Sequence, residues 1–165
     1  MKPIHAFVSA GAVAVAVLLP VTSRAESGTV EILLSSVSIP STVQMGDTAI
    51  TVRSGTGTIT VTKSSGDPFL EGLSGPAQYA SYSKKSPTGF DLESDGLATF
   101  APDDTLQLLF RRKSGDLAAG TTGEGVLTFP GGTGRFARIS GQCKNTVTNL
   151  ANNWNVTTAK CRWCR

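Results

Sequence analysis

Histidine is almost missing from this chain of 165 residues. The one copy, His5, stands in the apolar N-terminal stretch. If that stretch is removed, a Ser-His-Asp triad, a Cys-His pair, His-ligated metals and His acid–base chemistry are all excluded. Aromatics are sparse as well, with two Trp, two Tyr and seven Phe. Charged residues make up only 16% of the chain. No repeat of solenoid length and no low-complexity tract appears. Amphipathic helical periodicity is nearly absent, which argues against helical bundles and against sheets built with crossover helices.

What is present begins with a leader. Lys2 supplies a positive start, Ala6 to Leu19 is an uncharged apolar run, and Pro20 breaks it. Ser23-Arg24-Ala25 offers small residues for a cut before Glu26. This is the pattern of a secretory signal peptide over residues 1–25, leaving one domain over 26–165. The uncharged run is shorter than the roughly 20 residues of a spanning helix, so no stable membrane anchor is expected after cleavage. No Cys follows the cut, so a lipid anchor is not indicated. An exported destination, periplasmic or extracellular, is therefore expected.

Without Lys2 and Arg24 the 15 basic residues fall to 13, against 12 acids. A near-neutral domain is a poor nucleic-acid partner. No acid follows Glu124, while Arg135, Arg138, Lys144, Lys160, Arg162 and Arg165 do. Strands of opposite sign lying side by side would account for that asymmetry. Asp91, Glu93 and Asp95 form an acidic ladder, read as a solvated strand face with a cation site as the alternative.

The mature segment is cut by Gly and Pro into short alternating runs. They cover Thr29–Ser38 ended by Pro40, Ala49–Arg53, Thr56–Lys63, Ala77–Lys84, Gly89–Phe100, Leu106 to Arg111, Gly125–Phe129, Ile139–Thr148 and Asn155–Trp163. Ser54-Gly55 suggests a bulge or tight hairpin between the second and third. This spacing predicts an all-β fold, a single antiparallel β-barrel of eight strands. Such a barrel has room for a packed core or one ligand cavity.

Glu124 to Lys144 reads as a strand, a glycine corner, an aromatic plug and a return strand. Gly131, Gly132 and Gly134 permit positive φ or close backbone approach. Phe136 can pack beneath the turn, and Gly141 suggests a bulge or crossing. A phosphate loop is excluded, since no Lys-Ser/Thr pair and no helix pattern follows. Gly131-Gly132-Thr133-Gly134-Arg135-Phe136 followed by Gly141 resembles the allene oxide cyclase-like and dirigent-like β-barrel superfamily. The match spans about 20 residues, and Glu124 and Gln142 to Lys144 are similar to the cyclase branch. The resemblance implies a barrel with an apolar pocket and carries over no catalytic residue except Glu124 as a weak candidate.

Three cysteines lie near the C-terminus. In a hairpin of the last two strands, Cys143 and Cys161 face the same side near opposite positions, which predicts a disulfide, with Cys143–Cys164 the runner-up. Cys161-Arg162-Trp163-Cys164 follows a strand pattern rather than opening a helix, so a redox-active thiol is not expected. Zinc lacks a fourth ligand. No cofactor and no metal is expected. Asn155-Val156-Thr157 fits the N-glycosylation acceptor pattern near an expected turn.

The leading expectation is a non-enzymatic barrel holding a small apolar or amphipathic ligand, lined by Tyr79, Phe90, Leu92, Leu106, Leu108, Phe110 and Trp163. The alternatives are a cofactor-free cyclase or isomerase using Glu124 or a Tyr, and a secreted interaction or inhibitor protein acting through loops such as Asp116–Gly123. A homo-oligomer is compatible with each.

Overall fold

The computed structural model describes residues 26–165. The leader expected over residues 1–25 lies outside the described residues. Eight strands run β1 Ser27–Met45, β2 Thr48–Ser64, β3 Ser74–Ser86, β4 Gly89–Ala101, β5 Asp104–Arg112, β6 Thr122–Phe129, β7 Ser140–Asn149 and β8 Trp154–Cys164. Every neighbour pairs antiparallel in chain order, and β1 closes on β8. The fold is all-β, a single closed eight-stranded barrel. Closure matters because an open strand edge would expose unpaired backbone groups.

Alternation decides the faces. Val30, Ile32, Ile59, Val61, Ala77, Leu92, Leu106, Leu108, Leu127, Phe129, Ala159, Cys161 and Trp163 point inward and are buried. The outer face carries Thr, Ser and charge. Arg111 bridges Glu93 at 3.3 Å, Lys113 bridges Asp91 at 2.9 Å, and Lys63 and Lys160 flank Glu31. The acidic ladder of β4 is thus a solvated face opposite basic residues. Among the described residues no group of His, Cys, Asp and Glu is placed to hold a metal ion.

Two boundaries differ from the sequence expectation. Pro40 does not end β1, which continues to Met45. β8 pairs with β1 only up to Val37, so on that side Pro40, which pairs with Arg53 of β2 on the other, stands on an open edge where proline is tolerated. Ser54-Gly55 makes neither bulge nor hairpin; β2 runs through as one strand of 17 residues. The register shifts instead opposite Glu31 and Ile32, which pair with Lys63 and Val61 and leave Thr62 of β2 as the extra, bulged residue. The unbroken β2 also fixes its phase. Ile59 and Val61 point inward, so Arg53 does too, and Val52 turns outward at 52% exposure.

One barrel end is sealed by aromatics. Phe69, from the β2–β3 loop, stacks on Phe136, Phe129 and Trp163 at centroid distances of 5.2, 5.7 and 6.0 Å. Phe100 adds a fifth ring, 5.1 Å from Phe136. The glycine corner makes this plug possible. Thr133 to Ala137 form one tight 3-10 turn, and Phe136 is completely buried beneath it. Gly134 needs glycine for its φ of 54°. Gly132 lies so close to the Thr105 carbonyl and Phe136 that a side chain would overlap both, and Gly141 is similarly crowded by Phe129 and the Arg162 carbonyl. Gly131 has neither constraint; only Gln107 comes near. Asp104 anchors the corner by accepting from the Arg135 N–H at 2.9 Å and the Arg135 Nε at 2.8 Å.

The Cys143–Cys161 disulfide forms, with both residues facing inward in direct register across β7 and β8. Cys164 keeps an exposed thiol. The two sulfurs of Cys161-Arg162-Trp163-Cys164 therefore lie in different environments and do not form a dithiol.

Candidate functional site

Away from the aromatic plug the inward positions change character. β1 contributes Ser36 and Ser38 after Leu34. β2 has Gly57 and Gly55 above Ile59. β3 has Ser81 and Ser83, and β4 has Ser94 and Gly96. Small side chains on several adjacent strands leave the upper barrel unfilled. The result is a cavity of about 100 Å³ with a mostly apolar wall of Ile32, Leu34, Ile59, Leu92, Leu108, Phe110 and Leu127.

Tyr79 is the largest side chain crossing this space. A Cβ at Gly55 would overlap its ring, so glycine there is what lets the ring lie flat across β2. Its hydroxyl accepts from Asn155 Nδ2 at 3.2 Å, and Asn155 Oδ1 accepts from Ser36 Oγ at 2.7 Å. The three side chains form a polar bar linking β1, β3 and β8. Asn155, half-buried, faces the interior with both ends of its amide engaged. Nearby on β7, Asn145 is buried with neither amide atom hydrogen-bonded.

Above the bar the cavity opens into a neck of about 200 Å³, where Arg53, Asn149, Asn152, Asn153 and Asn155 stand among Leu117, Ala119, Leu150 and Trp154. Asn152 and Asn153 have φ of 57° and 59°, a left-handed conformation that Asn tolerates better than most residues. The segment between β5 and β6 folds over this neck as a lid. Arg112, only 2% exposed, holds it from below, donating from Nε to the Ser114 carbonyl at 2.6 Å and from Nη2 to the Asp116 carbonyl. Its guanidinium also rests 5.1 Å over the Phe90 ring. Gly115 and Gly123 leave the room it occupies. Burial lowers the Arg112 pKa, and the Asp116 charge opposes that shift. Lys85, foremost, and then the Ala118 and Leu117 amides donate to the Asp116 carboxylate and hold its carboxyl below its ordinary value, against the opposing effect of burial. Asn149 completes the stitching through Thr121 Oγ1 at 3.0 Å.

Arg53 differs from Arg112. It projects from β2 where cavity and neck meet. Its one hydrogen bond is long, 3.4 Å from Nη1 to Ser38 Oγ, and its Nε is buried without an acceptor. Burial lowers its pKa, opposed by the nearby Tyr79 oxygen.

Of the residues expected to line a pocket, Tyr79, Leu92, Leu108 and Phe110 do so. Leu106 and Trp163 lie instead in the solid core near the plug, and Phe90 sits under Arg112. Glu124 is exposed on the outer face of β6, away from the cavity. The polar residues of the site, Arg53, Asn149, Asn155, Ser36 and Arg112, escape a reading of apolar alternation. Their signal is a polar side chain standing in the phase of its strand's core residues. Comparison of the chain with family models, curated proteins and solved structures finds no match.

Proposed function

We propose that this protein is an exported binding barrel that holds one small, mostly apolar ligand in its open half and performs no chemistry on it. The carrying observation is the change of filling along the barrel axis. Five aromatic rings pack one half solid, while serines and glycines in the same inward phase leave the other half hollow. A closed core would need large side chains at those positions. A concave, apolar site with a few fixed polar groups is what small-molecule recognition requires.

The buried disulfide suits an oxidising compartment, which supports export. The plugged glycine corner supports kinship with the allene oxide cyclase-like and dirigent-like barrels. The cyclase alternative has less behind it, because Glu124 faces outward and among the described residues no Asp or Glu lines the cavity or its neck, which leaves that reading Tyr79 alone. The loop-based interaction reading also loses ground, because Asp116 to Thr121 are tied down over the neck.

A neutral apolar fluorophore tests the proposal. N-phenyl-1-naphthylamine titrated into the purified protein is expected to brighten and saturate at one equivalent. Ser94→Phe, which fills the cavity from β4, is expected to abolish the signal while the melting temperature holds. Brightening that does not saturate, or that survives Ser94→Phe in a folded protein, refutes it.

A further inference from the structure

We infer that the ligand is an organic anion, an apolar body carrying one carboxylate, and that Arg53 is the residue that binds its charge. This inference rests on the cavity being a ligand site, and adds the chemical class of what enters it.

A guanidinium carries five N–H donors and a permanent charge. One withdrawn from water needs acceptors or a counter-charge, because an unpaired buried ion is costly. The barrel contains two inward-facing arginines, and they are treated differently. Arg112 is satisfied by two backbone carbonyls, an aromatic face and the neighbouring Asp116. Arg53 is half-buried at the cavity mouth, with a single long bond to a hydroxyl and a buried Nε with nothing to donate to. No carboxylate among the described residues bridges it. The first 25 residues contain no Asp or Glu, so they supply none either. Asp116 stands beside Arg112, so among the described residues Arg53 is the charged side chain lining both cavity and neck that has no opposite charge against it. Burial depresses the Arg53 pKa as it does that of Arg112, so it is the hydrogen bonding that sets the two apart.

Position matters as much as charge. Arg53 sits at the seam between the apolar cavity and the Asn-rich neck. A ligand whose body lies along Leu34, Leu92, Leu108 and Phe110 would bring its head group to the guanidinium. A carboxylate can accept two parallel N–H bonds from such a fork, which neither an alcohol nor an amide can imitate. The amides of Asn152 and Asn153 line the same neck beside it. The free protein therefore holds an unmet cation, and the bound ligand completes it.

The test is a matched pair of probes, 4-phenylbutyrate and 4-phenylbutan-1-ol, titrated by calorimetry into wild type, Arg53→Gln and Arg53→Lys. The acid is expected to bind wild type about tenfold more tightly than the alcohol, the difference that a charge-assisted hydrogen-bond pair supplies. Arg53→Gln is expected to bring the acid down to the alcohol's affinity and leave the alcohol unchanged. Arg53→Lys, which keeps the charge without the fork, is expected to retain part of the preference. Added salt should weaken the acid alone. Equal binding of acid and alcohol to wild type overturns the anion assignment and leaves the cavity reading intact. An acid preference that survives Arg53→Gln overturns the assignment of the charge to Arg53. Failure of both probes, together with failure of the neutral fluorophore, overturns the cavity reading and this inference with it.

Discussion

Glycine and tyrosine define the site at the scale of single residues. Tyr79 can cross the barrel only because Gly55 offers no Cβ, and its hydroxyl then fixes Asn155 and, through it, Ser36. Gly55→Ala is expected to push the ring off β2 and break that bar. Overpacking of this kind costs about 1–3 kcal/mol. A drop of that size in chemical denaturation, with a change in tyrosine absorbance, is the expected reading; an unchanged spectrum would show that the ring has other room. A second test at this scale concerns Cys143 and Cys161. Joining strands 18 residues apart restricts the unfolded chain, worth on the order of 3 kcal/mol in the chain-entropy model. The double variant Cys143→Ala, Cys161→Ala should lose about that much stability, and reduction of wild type should match it.

Elements behave as the alternation of side chains dictates, where that alternation is read across a whole strand. The pairing of Cys143 with Cys161 was legible because the phases of β7 and β8 are unambiguous, with Val147 on one and Ala159 and Trp163 on the other. The plug was legible because a glycine corner leading into a phenylalanine needs somewhere to put the ring. Arg53 was not. Dividing β2 at Ser54-Gly55 assigns Ile50 and Val52 to the core, whereas continuity through Gly55 and Gly57 reverses the phase and turns Arg53 inward. Arg112 was hidden similarly, one residue past the end assigned to β5 yet in phase with Leu106, Leu108 and Phe110. Glycines that look like strand breaks are here the spaces that other side chains fill.

The loops that close the two ends depend on carboxylates. Asp104 is held below its ordinary value by the Arg135 backbone N–H and then its guanidinium, Asp116 by Lys85 and then by two backbone amides, each against the opposing effect of burial. A depressed pKa in the folded state means stability that is complete above the ordinary carboxylate value of 3.8 and lost as pH falls below it. Unfolding free energy should therefore be flat from neutral pH to about 5 and decline in acid. Asp104→Asn should be less stable at neutral pH and show a shallower acid decline. Asp116→Asn should speed hydrogen exchange at Leu117 and Ala118 without altering exchange in the plug. An acid profile identical in wild type and Asp104→Asn would contradict the anchoring role.

The whole molecule combines a rigid cylinder with an unequal interior. Closure through β1 and β8, the disulfide and the ring cluster make one end a fixed base. The other end has small inward residues, a stitched lid and a cation without a counter-ion. β1 and β2 also rise above the β7–β8 turn, leaving Ile39, Val43 and Met45 exposed on a ribbon beyond the last β8 pair at Val37. A barrel serving only as a scaffold would gain from filling its interior, since empty space forfeits packing contacts. The hollow half is the feature around which the rest is arranged. Native mass spectrometry of the protein purified from the cells that make it measures this most directly. One small non-covalent adduct per chain, seen in negative-ion mode after release and missing from Ser94→Phe, is the predicted result. A bare chain, with a high-resolution crystal structure showing only disordered water in the chamber, would contradict the account.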